Sequence, residues 1–127
     1  MDNNRSADII IGGIKYKLIL TTKATKEIAK RYGGLVNLGD KLMKSENFEL
    51  ALDEVVWLIT LLANQSVLIN NRIGGEKKEL LTEDDVELLT TPLELSDYKE
   101  AIMEAMFKGT KRYIESEEPE SKNASVG

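Results

Sequence analysis

The stretch FELALDEVVWLITLLANQSVLINN, Phe48 to Asn71, reads as one long helix, and its two apolar faces decide how the rest of the chain must fold. At about 100° per residue, Leu52, Val55, Ile59, Leu62 and Ile69, with Ala51 beside them, form a broad face. Asp53, Thr60, Asn64 and Asn71 make one polar stripe, and Glu54, Gln65 and Arg72 another. Between the stripes runs a narrow seam of Leu50, Trp57, Leu61 and Leu68, with the alternating seven-and-four spacing of a coiled-coil contact line. Such a helix needs cover on two sides. The broad face is the expected core, and the seam is covered either by a neighbouring helix or by a partner.

Working toward the N-terminus, Gly33-Gly34 ends a predicted helix over residues 23–32 that Thr21-Thr22 can cap, with Ala24, Ile28 and Tyr32 inward. A short helix is expected over 35–44, with Leu35, Leu38 and Leu42 inward and Met43 flanking, and Ser45 or Asn47 as N-cap for the long helix. Before these, Ile9-Ile10-Ile11 and the run Ile14 to Leu20 flank Gly12-Gly13, the pattern of a tight β-hairpin. In the second strand Ile14, Tyr16, Leu18 and Leu20 share one face, and Lys15, Lys17 and Ile19 the other. Residues 1–8 are expected to be flexible.

Toward the C-terminus, Gly74-Gly75 opens a loop, and Thr82-Glu83-Asp84-Asp85-Val86 is a capped helix start with acids in its first turn. That helix is expected over 83–90, broken by Thr90, Thr91 and Pro92. A last helix is expected from Ser96-Asp97 through Ile114, with Tyr98, Ile102, Ala105, Met106 and Tyr113 inward. Met103, Phe107 and Ile114 form a shoulder about a quarter turn away. The polar, acidic segment 115–127 is expected to be disordered. The reading is an α+β, mainly α fold: one domain over 9–114, a hairpin over 9–20, then about five helices around the long helix at 48–71.

Composition narrows the chemistry. The 127 residues include no cysteine and no histidine, which removes disulfides, thiolate ligands and the commonest general base. Ser45, Ser66 and Ser96 therefore have no histidine to activate them. The glycine pairs lack the spacing of phosphate-binding loops, and the acids at Glu83, Asp84, Asp85 and Glu87 lack the alternation of a calcium loop. We expect no enzyme, no cofactor and no metal site. A net charge of −5 disfavours nucleic acid. The N-terminus lacks a secretion signal, and the longest strongly apolar run is read as too short to span a bilayer, so a cytoplasmic protein is expected. Charge is also uneven. Through Gly33 the chain carries +4, and the remainder −9, a dipole that can orient head-to-tail encounters.

The order of a hairpin I-G-G-I-K-Y-K-L, a helix A-T-K-E-I-A-K-R-Y-G-G, a short Leu-rich helix, a long apolar helix, L-T-E-D-D-V and an amphipathic last helix resembles the small tail assembly chaperones of siphophage-type bacteriophages and gene-transfer-agent-like particles. The resemblance covers about Ile9 to Ile114 and rests on Tyr16, Leu18, Ile28 and Tyr32-Gly33 among others. It implies a protein that binds the tape measure protein, keeps it soluble and helps recruit tail tube protein around it in the bacterial host cytoplasm. It also implies absence from the mature virion and, in many such phages, a frameshifted extension of the C-terminus. The alternative is a structural or connector component of a phage tail. Candidate partner-binding residues are Leu50, Trp57, Leu61, Leu68, Met103, Phe107 and Ile114; if the Trp57 seam is buried, the site moves to Met103 and Phe107. Candidate residues for hairpin self-association, giving a homo-oligomer, are Ile9, Ile11, Tyr16 and Ile19.

Overall fold

Gly12 and Gly13 take φ values of 58° and 83°, the doubly positive turn that matches the twist of a two-residue hairpin. In the computed structural model, which describes residues 5–38 and 48–126 and the side chains of 5–38 and 52–110, strand β1 is Ser6–Ile11 and β2 is Ile14–Ile19. They pair antiparallel from Ile11 opposite Ile14 to Ser6 opposite Ile19. The first strand thus begins inside the segment 1–8 that was expected to be flexible. The reason is its alternation: Ala7, Ile9 and Ile11 all face the core, so the buried face starts before the run of isoleucines does.

Helix α1 is Thr22–Tyr32. Thr21 caps it by accepting the Ala24 N–H at 3.0 Å, and Gly33 closes it in a left-handed conformation. A helical turn, α2, follows at 35–38; the remainder of the short helix expected to reach 44, with Leu42, Met43 and the caps Ser45 and Asn47, lies outside the described residues. Helix α3 is Phe48–Ile73, and α4 is Glu83–Leu89, opened by a full capping box between Thr82 and Asp85.

Helix α5 is Pro92–Val126, longer at both ends than expected. Helix α4 ends before Thr90, as expected, and Pro92 is itself the first residue of α5. Thr91 accepts the Glu94 N–H at 3.2 Å, and the Glu94 carboxylate accepts the Thr91 N–H at 2.9 Å. Proline is well suited to the first helical position, where its missing N–H has no intrahelical bond to make. At the other end the backbone stays helical through 115–126, the segment expected to be disordered; Glu115, Glu117, Glu118 and Glu120 are good helix formers.

The architecture is α+β and mainly α, an N-terminal hairpin followed by about five helices, with α3 as the central member. Val55, Leu58, Ile59, Leu62 and Ala63 of α3 are fully buried, with Leu18, Ile28, Leu38, Val86 and Ile102 around them. The segment Leu52–Ile73 is, by length and composition, enough to cross a membrane, so the expectation that the apolar run is too short does not hold. Half of that segment is buried within the protein's own core.

Three polar side chains of α3 reach to other segments. Gln65, 3% exposed, accepts the Thr21 hydroxyl at 2.6 Å and so ties the start of α1 to α3. Asn64 bonds both the N–H and the C=O of Leu81, each at 2.8 Å. Asn71 does the same to Lys78, each at 2.9 Å. Residues 76–81 are therefore strapped along α3 through their backbone.

Where α5 passes the end of β2 it does so at Gly109. A Cβ there would lie 2.9 Å from Leu20 Cβ, a near-backbone atom that cannot rotate away. Glycine-to-alanine in a helix ordinarily stabilises by up to about 1 kcal/mol. Here overpacking wins, and Gly109→Ala should destabilise the fold by about 1–3 kcal/mol in urea unfolding.

Candidate protein-binding surfaces

The Trp57 seam is half covered by the chain itself. The end of α1 lies over it: the Tyr32 ring meets the Trp57 ring edge-on at 5.9 Å and 72°, and the Arg31 guanidinium sits 4.4 Å from the Trp57 ring centre. Beneath them Glu54, 7% exposed, accepts from the Tyr32 hydroxyl and lies 3.5 Å from Arg31 Nε. Glu54 was expected on a polar stripe; its burial depends on two partners some twenty residues earlier, which no local pattern reveals. Leu61 and Leu68 are also half-buried, and the Leu50 side chain lies outside the described residues.

On α5, Met103 is half-buried against the core, whereas Phe107 is 63% exposed; the Ile114 side chain lies outside the described residues. Residues that the sequence reading passed over join Phe107 as exposed apolar groups. Leu93, at 75%, falls within about 40° of Phe107 around the helix. Leu88 is 75% exposed, and Leu89 packs over Gly12 in the hairpin turn while remaining half open. A signal for these was present: a seven-residue helix can turn only a narrow stripe inward, and Val86 occupies it.

The hairpin does not present the residues expected to self-associate. Ile9, Ile11 and Ile19 are buried and Tyr16 is half-buried: the face carrying Ile9, Ile11 and Tyr16 lies on the helices, and Ile19 sits opposite Ser6 at the open end of the hairpin, beside α5. The exposed hairpin apolars are instead Ile10 and Ile14.

The two hairpin edges are treated differently. With a two-residue turn, Ile11–Ile14, Ile9–Tyr16 and Ala7–Leu18 are the mutually bonded pairs, so the intervening residues aim their N–H and C=O outward. On β1 the Ile10 carbonyl accepts from the Tyr98 hydroxyl, and the Ser6 carbonyl accepts from Lys108 Nζ at 3.0 Å. On β2 no described residue outside the hairpin bonds the backbone of Lys15 or Lys17. That edge borders a groove of about 470 Å3 floored by Ser66, Val67 and Asn70 of α3 and closed on the far side by Lys78 and Glu79.

A second recess, about 380 Å3, lies where α4 and α5 meet α3, with Asp53 and Glu87 at its rim and Val56 and Leu95 in its floor. Among the described residues no cluster of three or more metal-ligating side chains occurs, and every buried polar side-chain atom has a hydrogen-bond partner.

Burial holds the Tyr98 phenol above its ordinary pKa of 10.0, reinforced by the carboxylates of Glu94 and Asp97. The unfolded chain therefore loses this proton first. The stabilisation from Tyr98 is present in full below pH 10 and is lost as pH rises from there through the raised value. Tyr98→Phe should cost about 1 kcal/mol at neutral pH, and the wild-type advantage over it should shrink above pH 10 in unfolding measurements. Comparison with protein-family models, with curated proteins and with solved structures finds no match to this chain.

Proposed function

We propose that this chain is a non-enzymatic tail assembly chaperone of the siphophage type, one that binds the long helical tape measure protein, keeps it soluble and assists assembly of tail tube protein around it. The observation that carries the reading is the exposure of apolar side chains on α4 and α5, Leu88 and Leu93 at 75% and Phe107 at 63%, on a chain with a net charge of −5. An amphipathic client helix docks by laying its apolar side against such residues, and leucine and phenylalanine suit that mode. The half-covered Trp57 seam favours α5 as the client side. The resemblance in element order over Ile9 to Ile114 supplies the identity of the client. The same reading puts the protein in the bacterial host cytoplasm during assembly and outside the finished particle.

Co-expression with the tape measure protein encoded beside it should yield a soluble complex that survives purification. Leu88→Asp with Leu93→Asp should abolish that solubilisation while leaving the unfolding midpoint near wild type, since both side chains are already 75% exposed. A tape measure protein equally soluble without this chain would overturn the reading.

A further inference from the structure

We infer that the lysine-rimmed edge of β2 receives the acidic C-terminal segment of a second copy of this chain, joining copies head to tail. Three observations meet there. The outward N–H and C=O groups of Lys15 and Lys17 are unclaimed by any other described element, whereas α5 covers two carbonyls of the equivalent β1 edge. An open strand edge selects an extended backbone as its partner.

The charge then selects which backbone. Lys15, Lys17 and Lys78 line the groove, with Glu79 the one acid among its lining residues. Lys15 makes an exposed 3.5 Å pair with Asp8, worth little in water. A β2-to-β2 pairing would bring these lysines together and is disfavoured. The complementary stretch is Glu115-Ser116-Glu117-Glu118-Pro119-Glu120, which has four carboxylates and no basic residue. Its alternation also fits. Lys15 and Lys17 are two apart on one strand face, and Glu115 and Glu117 are two apart on an added strand, so both pairs form in one register.

The chain's own segment is aimed away from its own groove. Helix α5 passes Ile10 at Tyr98, Ser6 at Lys108 and Leu20 at Gly109, so it travels from the hairpin turn toward the open ends of the strands. It then continues about 25 Å to Val126. Lys15 lies next to the turn, at the other end. The contact requires this stretch to leave its helical form, and Pro119 weakens the helix there, since it can donate no helical hydrogen bond and disfavours helix at Glu118. The two surfaces are different, so the contact is heterologous and repeats from copy to copy. This inference stands on the edge and its charges and does not depend on the identity of any client.

Sedimentation velocity on the full chain should show concentration-dependent association at about 0.05 M salt, weakened about tenfold or more at about 0.5 M. Lys15→Glu with Lys17→Glu, and separately a stop after Ile114, should each remove it while leaving the circular dichroism signature of the hairpin and helices. Mixing the Lys15→Glu/Lys17→Glu chain with a Glu115→Lys/Glu117→Lys chain should restore association between the two. A full chain that stays monomeric at low salt, a truncated chain that associates undiminished, or a charge-swapped pair that fails to associate would each overturn the inference.

Discussion

A 26-residue helix with apolar side chains on two faces must have both faces covered, and that requirement governs this molecule. The hairpin, α1, α4 and α5 are the cover. What holds the cover in place is not apolar contact alone, which is non-directional, but a set of polar side chains projecting from α3 itself. Glu54 takes Tyr32 and Arg31 at the end of α1, Gln65 takes Thr21 at its beginning, and Asn64 and Asn71 hold the strap. Each is a hydrogen bond whose loss would leave a buried or half-buried group unsatisfied, so each fixes one neighbour at one position. The hydrophobic effect supplies the drive, and these bonds supply the register.

Much of the fold is legible in the sequence because its signals are local. The glycine turn, the Gly33 stop, the Thr82 capping box and the identity of α3 as the central helix are all written within a few residues of where they act. The departures have a common cause. Glu54 and Gln65 look like solvent-facing positions because their partners lie 22 and 44 residues away along the chain. Ile9 and Ile11 look available for self-association until α3 and α5 cover the hairpin face that bears them. The last helix is expected only from Ser96-Asp97, and it starts at Pro92 because Thr91 and Glu94 bond reciprocally across its first turn. The candidate client surface was half legible: Phe107 stands out on its wheel, but Leu88 and Leu93 are exposed only because α4 is short and α5 starts early.

The distribution of exposed groups separates two kinds of surface. On α4 and α5 the exposed groups are apolar side chains, whose contacts carry no fixed direction. On β2 the open groups are backbone donors and acceptors at fixed spacing, framed by like charges that reject a copy of themselves. The first surface tolerates variety and the second enforces selection. The two surfaces have no residue in common.

The paired asparagines on α3 carry a further implication. Asn64 and Asn71 are separated by two helical turns, about 10.5 Å of rise, and their targets Leu81 and Lys78 by three extended residues, about 10 Å of reach. The two rulers agree, and both amides read main chain only. Between the clamps the chain is consequently indifferent to which side chains it carries but intolerant of their number. One residue more or fewer would displace a target by about 3.3 Å, beyond the range of any hydrogen bond. That short span is free to drift in composition while its length stays locked to the pitch of the helix beneath it.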